Sequence, residues 1–318
     1  MAEIVAVDVG GGHARFCRAE IGADGVPRLG AVHKKRVADF ASLAECWQCF
    51  ADDEGGDLPP AASIAFAAPI RGDEIRLTNS DWLIRPADLA QELSLDDLVL
   101  VNDFEAVGHA VSRLPLDQME VLFGPDAPLP YNGVVTVLGI GTGLGVAMIA
   151  YRNGQPHVFA TEGGHFDFAP LDETETRLIE ALRLRYGRVS VERIVSGPGL
   201  GNIYLGLTAD TRPIHDAELW AAALEGVDPL ARQALDHLCL SYGSVAGDLA
   251  LAHGPGAVVL VGGLTQRIKH LLPASGFHAR FTAKGRYAPM MNTIPIRFAS
   301  HDDIGLFGAA VAFGAKHL

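Results

Sequence analysis

Cysteines are few in this chain, and nothing at its amino end resembles a secretory leader. Four cysteines occur in 318 residues, which is too few for a disulfide-stapled scaffold. The first residues place charges inside a short apolar run, unlike the long apolar core of a signal peptide. These absences exclude the small disulfide-rich secreted class, and we expect a reduced, cytoplasmic protein.

Lysine and arginine form no run longer than the three residues 34–36, and low-complexity blocks are absent. The net charge is -13 and the isoelectric point is near 5.3, which argues against nucleic acid or an anionic membrane as a partner. Hydrophobic residues make up 49% of a chain long enough for two lobes. We therefore expect a soluble acidic protein that binds a small molecule.

Two common nucleotide-binding motifs are also missing. No Gly-Lys-Ser/Thr occurs, which excludes a P-loop, and the first glycine cluster precedes a strand pattern, unlike a Rossmann fingerprint. Residues 4–7 and 14–21 read as strands joined at Asp8 and the glycines 10–12, so the pattern predicts a hairpin. An ordinary turn needs fewer glycines. Three in a row after Asp8 favour a backbone that approaches an anion, with Asp8 near a hydrated metal ion.

The middle of the chain repeats this pattern of strand, glycine-rich turn and strand. Residues 134–138 and 146–151 read as strands around a turn at residues 139–145. The uncharged stretch 128–151 could formally be a membrane helix, but its glycines and the Asn153-Gly154 turn disfavour one. The repeat predicts a duplicated α/β architecture whose two lobes face each other across a cleft.

A third glycine pair follows another apolar strand pattern. Residues 257–261 read as a strand, Gly262 and Gly263 follow, and residues 265–272 read as a helix. A helix start can hold a phosphate or lie beside a base and ribose. The signal is weak alone and gains weight beside the other two glycine sites.

Asn102 and Asp103 end an apolar strand pattern and begin a helical one. The strand, residues 98–101, would deliver both side chains to its carboxyl end, where ligands bind in open α/β sheets. In isolation the better interpretation is that Asn102 caps the helix together with Glu105, and that the negative charge of Asp103 interacts favourably with the helix dipole. The glycine loops favour a second interpretation, in which Asp103 faces a phosphate-bearing ligand.

Cys46 and Cys49 form a C-x-x-C motif inside a helical pattern. The apolar positions of residues 43–50 recur at helical spacing, and no partner pair of cysteines lies elsewhere. We therefore interpret the motif as one face of an amphipathic helix and expect no zinc or redox chemistry there.

The motifs together resemble the bacterial glucokinases, in the group of the actin, Hsp70 and hexokinase superfamily that lacks the repressor-type zinc motif. The resemblance spans the chain and rests on Asp8-Val9-Gly10-Gly11, Leu77-Thr78-Asn79-Ser80-Asp81-Trp82, Val101-Asn102-Asp103-Phe104, residues 139–145, Glu162-Gly163-Gly164-His165-Phe166-Asp167-Phe168-Ala169-Pro170, Ser196-Gly197-Pro198-Gly199-Leu200, Ser275-Gly276-Phe277 and Lys284-Gly285-Arg286. It implies duplicated actin-like ATPase (ribonuclease H-like) lobes. We expect the smaller lobe at residues 1–103 plus 303–318 and the larger at residues 104–302.

The resemblance implies ATP-dependent phosphorylation of D-glucose to glucose 6-phosphate. Asp103 would be the general base on the sugar's 6-hydroxyl, and Asp8 would hold Mg²⁺ through water. The remaining implied contacts are, for the sugar, Asn79, Asn102, Asp103, Glu162, His165 and Glu192, and, for ATP, Asp8, Gly10, Gly11, Gly12, Gly141, Thr142, Gly143, Gly262 and Gly263. A metal site at Glu162, His165 and Asp167 has suitable residue types but no second cluster at ligand spacing.

Gly12 and His13 depart from the threonine and asparagine that the family commonly has there, which affects the expected nucleotide affinity. These departures keep one alternative open, a sugar-binding regulator without turnover. A kinase for another hexose is a second alternative, because motifs do not show the shape of the sugar pocket. No helix-turn-helix pattern precedes Ile4, which counts against a repressor. The family also suggests a homodimer built on the larger lobe, and lobe closure about residues 103 and 301–303 when sugar binds.

Overall fold

The computed structural model describes residues 2–77, 80–208, 216–254 and 256–317. The chain divides into two compact units. The first comprises Met1–Pro115, Val158–Ala160 and His301–Leu318, and the second comprises Leu116–His157 and Thr161–Ser300.

The strands include all six runs that the sequence predicts, together with others that it did not predict. They are β1 (Ala2–Val9), β2 (His13–Ile21), β3 (Pro27–Leu29), β4 (His33–Arg36), β5 (Ala61–Phe66), β6 (Ile75–Arg76), β7 (Leu83–Ile84), β8 (Asp97–Asn102), β9 (Met119–Phe123), β10 (Gly133–Ile140), β11 (Leu144–Arg152), β12 (Gln155–Thr161), β13 (Ala257–Val261) and β14 (Ile296–Ala299).

The helices lie between and after these strands. They are α1 (Leu43–Asp53), α2 (Pro86–Glu92), α3 (Asp103–Arg113), α4 (Glu173–Tyr186), α5 (Gly197–Thr208), α6 (Asp216–Glu225), α7 (Pro229–His253), α8 (Gly263–Ile268), α9 (Phe277–Thr282), α10 (Ala288–Met291) and α11 (Ile304–His317).

The first sheet has the strand order β3-β2-β1-β5-β8, with β4 also paired to β2. Strands β1 and β2 are antiparallel and form the predicted hairpin around the first glycine turn. Strands β1, β5 and β8 are parallel, with Val9 opposite Phe66 and Phe66 opposite Asn102. Because the three strands end in register, the residues that follow β1 and β8 lie at one edge of the sheet.

The second sheet repeats the arrangement of the first. Its order is β12-β11-β10-β13-β14-β9, in which β10 and β11 are antiparallel while β10, β13 and β14 are parallel. The set β2-β1-β5-β8 therefore recurs as β11-β10-β13-β14, and the predicted duplication is confirmed. The uncharged stretch 128–151 contributes β10 and β11. Among the helices described here, none is both long and apolar enough to cross a membrane.

Apolar side chains cover both faces of the first sheet. One face buries Phe16 against Cys46 and Phe50 of α1, and the other buries Cys17 in a cluster with Phe313 of α11. Helix α1 is thus the amphipathic helix predicted around the C-x-x-C motif. A sheet covered on both faces has a rigid edge, which suits it to hold site residues in fixed positions.

Helix α3 packs against α11 within the first unit. A side chain at Gly308 of α11 would overlap the carbonyl oxygen of Ala106 in α3, so glycine permits the close approach. The boundaries of the compact units therefore lie at Pro115 and His301, whereas the predicted lobe boundaries lie at residues 103 and 303. The division of the chain into functional lobes stays a prediction.

Candidate active site

In the first unit, Asp8 stands at the end of β1 beside the turn of residues 10–12. The turn is closed by the Gly10 N–H, which donates to the His13 carbonyl at 2.9 Å. Arg15 lies opposite Asp8 in the hairpin, and its Nη1 is 3.0 Å from Asp8 Oδ2. A Cβ built on Gly12 would meet nothing within 4 Å, so this part of the turn borders open space.

The Asp8 carboxylate is enclosed by groups from the other end of the chain. Burial raises the pKa of Asp8, the Arg15 guanidinium opposes that rise, and the Asp303 carboxylate adds to it. Gly305, in the first turn of α11, faces the same carboxylate: a Cβ there would lie 2.7 Å from Asp8 Cγ. The sequence could have indicated the contact of Arg15 with Asp8, because the predicted hairpin places the two residues opposite each other. Nothing in the sequence around Gly305 indicates that it contacts Asp8.

Asn102 caps helix α3, as the sequence predicts. Its Oδ1 accepts from the N–H groups of Phe104 (2.9 Å) and Glu105 (3.3 Å), and the Glu105 carboxylate accepts from the Asn102 N–H. The Asn102 side-chain amide also donates to the Ala68 carbonyl at 3.2 Å. Among the described residues, only one of its two amide N–H groups has a partner, so the other can donate to a ligand.

Asp103 is the first residue of helix α3. One oxygen of its carboxylate accepts from the adjacent Phe104 N–H at 2.8 Å. Because Asn102 pairs in register with Phe66, and Phe66 with Val9, Asp103 follows β8 at the sheet edge where Asp8 and its turn follow β1. The structure therefore brings the proposed base and the first glycine turn to one edge of a single sheet.

In the second unit, three glycine segments meet at the corresponding edge. The Gly141 N–H donates to the Gly143 carbonyl at 2.9 Å, and the Gly197 N–H donates to the Gly141 carbonyl at 2.7 Å. Gly262 has a φ of +94°, and a Cβ there would lie 2.9 Å from the Ile140 carbonyl oxygen. Gly197 was missed as a site residue, although its motif contributes to the family resemblance.

The helix after Gly262 differs from its predicted bounds of residues 265–272. Helix α8 begins at Gly263, because Gly262 in its positive-φ conformation serves as the N-cap, and ends at Ile268. A separate 3₁₀ turn, Leu272–Ala274, contains Pro273. Pro273 has no N–H to donate to the Lys269 carbonyl, so an α-helical ladder cannot continue through it.

Glu192 reaches the second glycine turn from a 3₁₀ turn, Val191–Arg193. Its Oε2 accepts from the Leu144 N–H at 2.9 Å. A Cβ on Gly143 would overlap this carboxylate oxygen. The sequence predicts both Glu192 and Gly143 as site residues, but not that the two are in contact.

Glu162 precedes the 3₁₀ turn Gly163–His165, which ends at His165 and packs on the backbone of Leu144. A Cβ on Gly164 would overlap the Leu144 carbonyl oxygen, so the turn lies directly on the start of β11. The His165 Nε2 and Glu162 Oε2 are 3.8 Å apart, and both side chains are more than half exposed. Such an exposed pair adds little stability, which leaves both groups adaptable.

A short backbone ladder joins the Glu162–His165 segment to the Glu192 segment. The Val191 N–H donates to the Phe166 carbonyl at 2.8 Å, and the Phe168 N–H donates to the Val189 carbonyl at 3.1 Å. The Arg188 side chain adds a bond from its Nη2 to the His165 carbonyl at 2.8 Å. Arg188 also pairs with Asp167 at 2.5 Å. Within the described ranges, no group of three His, Cys, Asp or Glu side chains is arranged to hold a metal, so the hypothesis of a metal site at Asp167 has no support.

The predicted residues therefore fall into two sets. The first unit holds Asp8, Gly10, Gly11, Gly12, Asn102 and Asp103, and the second holds Gly141, Thr142, Gly143, Glu162, His165, Glu192, Gly262 and Gly263. Asn79 lies outside the described residues.

The oxygen donors near Asp8 fit a magnesium ion. Asp8 and Asp303 are close enough for one carboxylate to raise the pKa of the other. Mg²⁺ in phosphoryl-transfer sites takes one or two carboxylates and completes its shell with water and phosphate oxygens. Two carboxylates beside an open glycine turn supply that kind of donor set.

Two sheets of the same topology, each with a glycine hairpin, define the class of actin-like ATPase folds. A glucokinase from an Antarctic psychrotroph has this fold, with a TM-score of 0.86 and 29% identity over 98% of each chain. A ROK-family glucokinase from Streptomyces griseus, solved with glucose and AMPPNP, has a TM-score of 0.62 at 21% identity over 97% of this chain and 98% of its own.

Sequence comparison identifies the family. The family model named Glucokinase matches residues 5–316. The glucokinase of Zymomonas mobilis is 49% identical over 319 residues, covering 99% of this chain and 98% of that relative. The chain therefore belongs to the glucokinase family and is an enzyme of that family.

Proposed function

We propose that this chain catalyses the ATP-dependent phosphorylation of D-glucose to glucose 6-phosphate. The observation that carries the proposal is the shared edge of the first sheet, where Asp103 follows β8 and the Asp8 turn follows β1. The two strands are separated only by β5, so their ends lie about 10 Å apart. The edge of one sheet thus presents both the Asp103 carboxylate and the glycine turn that follows Asp8.

Asp103 acts as the general base in this mechanism. It accepts the proton of the sugar 6-hydroxyl as that oxygen attacks the γ-phosphorus of ATP and the bond to the β,γ-bridging oxygen breaks. Phosphoryl transfer needs little covalent assistance, so positioning and charge neutralisation supply most of the rate enhancement. The peptide N–H groups of Gly10, Gly11 and Gly12 bind phosphate oxygens, and Asp8 would hold a magnesium ion through water. Magnesium, when bound, neutralises phosphate charge.

The second unit supplies the remaining contacts with both substrates. Carboxylates and amides accept or donate in pairs, as vicinal sugar hydroxyls require. We assign Glu162, His165 and Glu192 to the sugar, together with Asn79 and Asn102. The second turn, Gly141, Thr142 and Gly143, binds phosphate, and Gly262 and Gly263 border the adenosine. Glucose and AMPPNP in the Streptomyces griseus complex support these ligand classes.

A coupled assay with ATP, Mg²⁺ and a panel of hexoses tests the reaction. Asp103→Asn removes the base but keeps the shape of the side chain. We expect glucose binding to remain near that of the wild type, while turnover falls by at least ~100-fold, the usual contribution of a general base. Asp88→Asn, on the exposed surface of α2, is the matched control and should retain full turnover.

The panel also separates the alternatives. Glucose binding without ADP production would overturn the kinase assignment, and faster turnover of another hexose would replace glucose as the substrate. Unchanged turnover in Asp103→Asn would remove Asp103 from its role. A cytoplasmic location, a homodimer and functional lobes at residues 1–103 plus 303–318 and 104–302 belong to the same proposal.

A further inference from the structure

The backbone of Leu144 is contacted at both its N–H and its carbonyl oxygen by segments assigned to the sugar. Its N–H donates to Glu192 Oε2 at 2.9 Å, and its carbonyl oxygen lies against Gly164, between Glu162 and His165. Leu144 is also the residue that follows the phosphate turn, residues 141–143. One backbone unit therefore separates the sugar-side carboxylate from the nucleotide-side turn.

The space beside Gly143 is filled by the Glu192 carboxylate. A Cβ on Gly143 would overlap Oε2 and lie 3.0 Å from the carboxyl carbon, while Oε1 is farther away at 3.7 Å. Glycine at this position therefore accommodates a side chain of the protein itself. Gly141, in the same turn, has nothing within 4 Å of its Cβ position.

Glu192 is held firmly by its own backbone. The Val191 N–H donates to the Phe166 carbonyl at 2.8 Å, and the Arg193 N–H donates to the Ser190 carbonyl at 3.0 Å. A hydrogen bond from a peptide N–H to an ionised carboxylate is stronger than a neutral one. Because its backbone is fixed and its hydrogen bond is charge-assisted, Glu192 supports the turn of residues 141–143.

We propose that Glu192 is a positioning residue for the nucleotide turn as well as a sugar ligand, and that this contact couples sugar binding to nucleotide binding. The inference rests on the proposed function, because it needs the sugar at Glu192 and phosphate at the turn. A sugar hydroxyl on Oε1 would orient the carboxylate, which fixes Oε2 against Leu144 and Gly143. Sugar binding would then order the turn that binds nucleotide.

Thermodynamic linkage makes the coupling measurable from either ligand. If glucose raises the affinity for a nucleotide by some factor, the nucleotide must raise the affinity for glucose by the same factor. Couplings of this kind are commonly about 5-fold to 150-fold. We expect the AMPPNP affinity of the wild type to rise at least ~5-fold with saturating glucose.

Gly143→Ala and Gly201→Ala form a pair of variants. The first forces the Glu192 carboxylate away from the turn, and the second adds the same methyl group on helix α5, outside the assigned binding residues, where the nearest atom is Asp216 Oδ1 at an ordinary contact distance of 3.6 Å. Calorimetric titration of AMPPNP with and without glucose should show a coupling factor within ~2-fold of unity for Gly143→Ala and near the wild-type value for Gly201→Ala. Equal coupling in Gly143→Ala and the wild type would overturn the inference.

Substitution of Glu192 tests the positioning role without any sugar. Glu192→Ala removes the acceptor for the Leu144 N–H, whereas Glu192→Gln keeps an oxygen there. In the absence of glucose, AMPPNP should bind ~5-fold more weakly to the alanine variant and nearly normally to the glutamine variant. Wild-type nucleotide affinity in both variants would show that Glu192 acts only on the sugar, and would overturn the inference.

The double variant Glu192→Ala/Gly143→Ala tests whether residue 143 is glycine because a side chain there would overlap the Glu192 carboxylate. If the glycine accommodates Glu192, the methyl group should add less than ~2-fold once the carboxylate is gone. Additive losses would show instead that residue 143 meets the nucleotide directly, against the inference. Absence of glucose turnover in the wild type would be a failure of the proposed function, whereas normal turnover with a coupling factor of one would be a failure of this inference alone.

Discussion

The two glycine-rich hairpin turns are alike in sequence and differ in what lies beside them. Next to Gly12 of the first turn the space is open, whereas next to Gly143 of the second it is filled by the Glu192 carboxylate. The first region also has a carboxylate packed against a glycine, but there the glycine is Gly305, in a helix at the other end of the chain, and the carboxylate is that of Asp8.

This difference separates two reasons for a glycine in a phosphate-type turn. In the first turn, glycine leaves the backbone accessible to whatever approaches from outside. In the second, Gly143 makes room for an acid of the same protein. Neither Gly12 nor Gly143 has a positive φ, so backbone conformation does not demand glycine at either position.

The largest effect is expected from Gly305→Ala. The added Cβ would lie 2.7 Å from Asp8 Cγ, so either the carboxylate or the start of α11 must shift. A displacement of about 1 Å in a positioning group can lower turnover by ~100-fold. Steady-state kinetics over a range of Mg²⁺ concentrations should show that loss, with an increased magnesium requirement.

Gly12→Ala is the control for that experiment, because it adds the same methyl group to the turn after Asp8, where nothing lies within 4 Å of the added atom. We expect it to stay within ~3-fold of wild-type turnover. Wild-type kinetics in Gly305→Ala would show that the Asp8 carboxylate tolerates displacement, and the proposed parallel between Gly305 and Gly143 would be lost.

The first region should also be the more sensitive to acid. Burial lowers the pKa of His109, on α3, from its usual 6.5 to about 4, with a smaller contribution from Arg113. Folding therefore favours neutral His109, and its stabilising contribution, complete above pH 6.5, is lost progressively as pH falls towards 4. The loss between pH 7 and pH 5 should be up to about 2 kcal/mol.

Hydrogen exchange resolved by peptide measures this loss where it arises. Exchange in α3 should accelerate at pH 5 after correction for the intrinsic rate, and His109→Gln should remove most of the difference between pH 5 and pH 7. The peptide containing residues 141–144 is the internal reference. Equal acid sensitivity in His109→Gln would assign the effect to another group.

Local sequence patterns predicted the parts of this molecule whose causes are local. The β1–β2 and β10–β11 hairpins, the Asn102 capping box and the amphipathic α1 all follow from periodicity, glycine and capping residues within a few positions. The start of α8 was misplaced because the cap at Gly262 depends on its φ of +94°, which the sequence does not display.

Contacts between distant segments could not be predicted in this way. Glu192 and Leu144 are 48 positions apart, and only the folded backbone shows that one accepts from the other. Gly305 and Asp8 come from opposite ends of the chain. The sequence therefore predicts candidate residues for the site, but not which glycine accommodates which carboxylate.

A smaller effect is expected from Arg188→Ala, which loosens the sugar side of the second region. Arg188 contacts the His165 carbonyl and the Asp167 carboxylate, and both members of that ion pair are more than half exposed. Exposed pairs contribute 0 to about 1 kcal/mol, so KM for glucose should rise by ~2-fold to 5-fold with kcat nearly unchanged. Arg183→Ala, on the exposed face of α4, is the control. A fall in kcat equal to the rise in KM would contradict a purely positioning role.

The smallest effect is expected from Gly12→Thr, which restores the residue that the family commonly has. Its side chain enters open space, and the bond from the Val37 N–H to the Gly12 carbonyl does not involve it, so the free energy of unfolding should change by less than about 0.5 kcal/mol. The added hydroxyl can donate to a phosphate, and we expect AMPPNP to bind ~2-fold more tightly in a calorimetric titration. Gly12→Ala separates the hydroxyl from the methyl group. If both variants weakened binding by more than ~5-fold, the space beside Gly12 would be where the nucleotide lies, and the first turn, like the second, would need glycine to accommodate a neighbour.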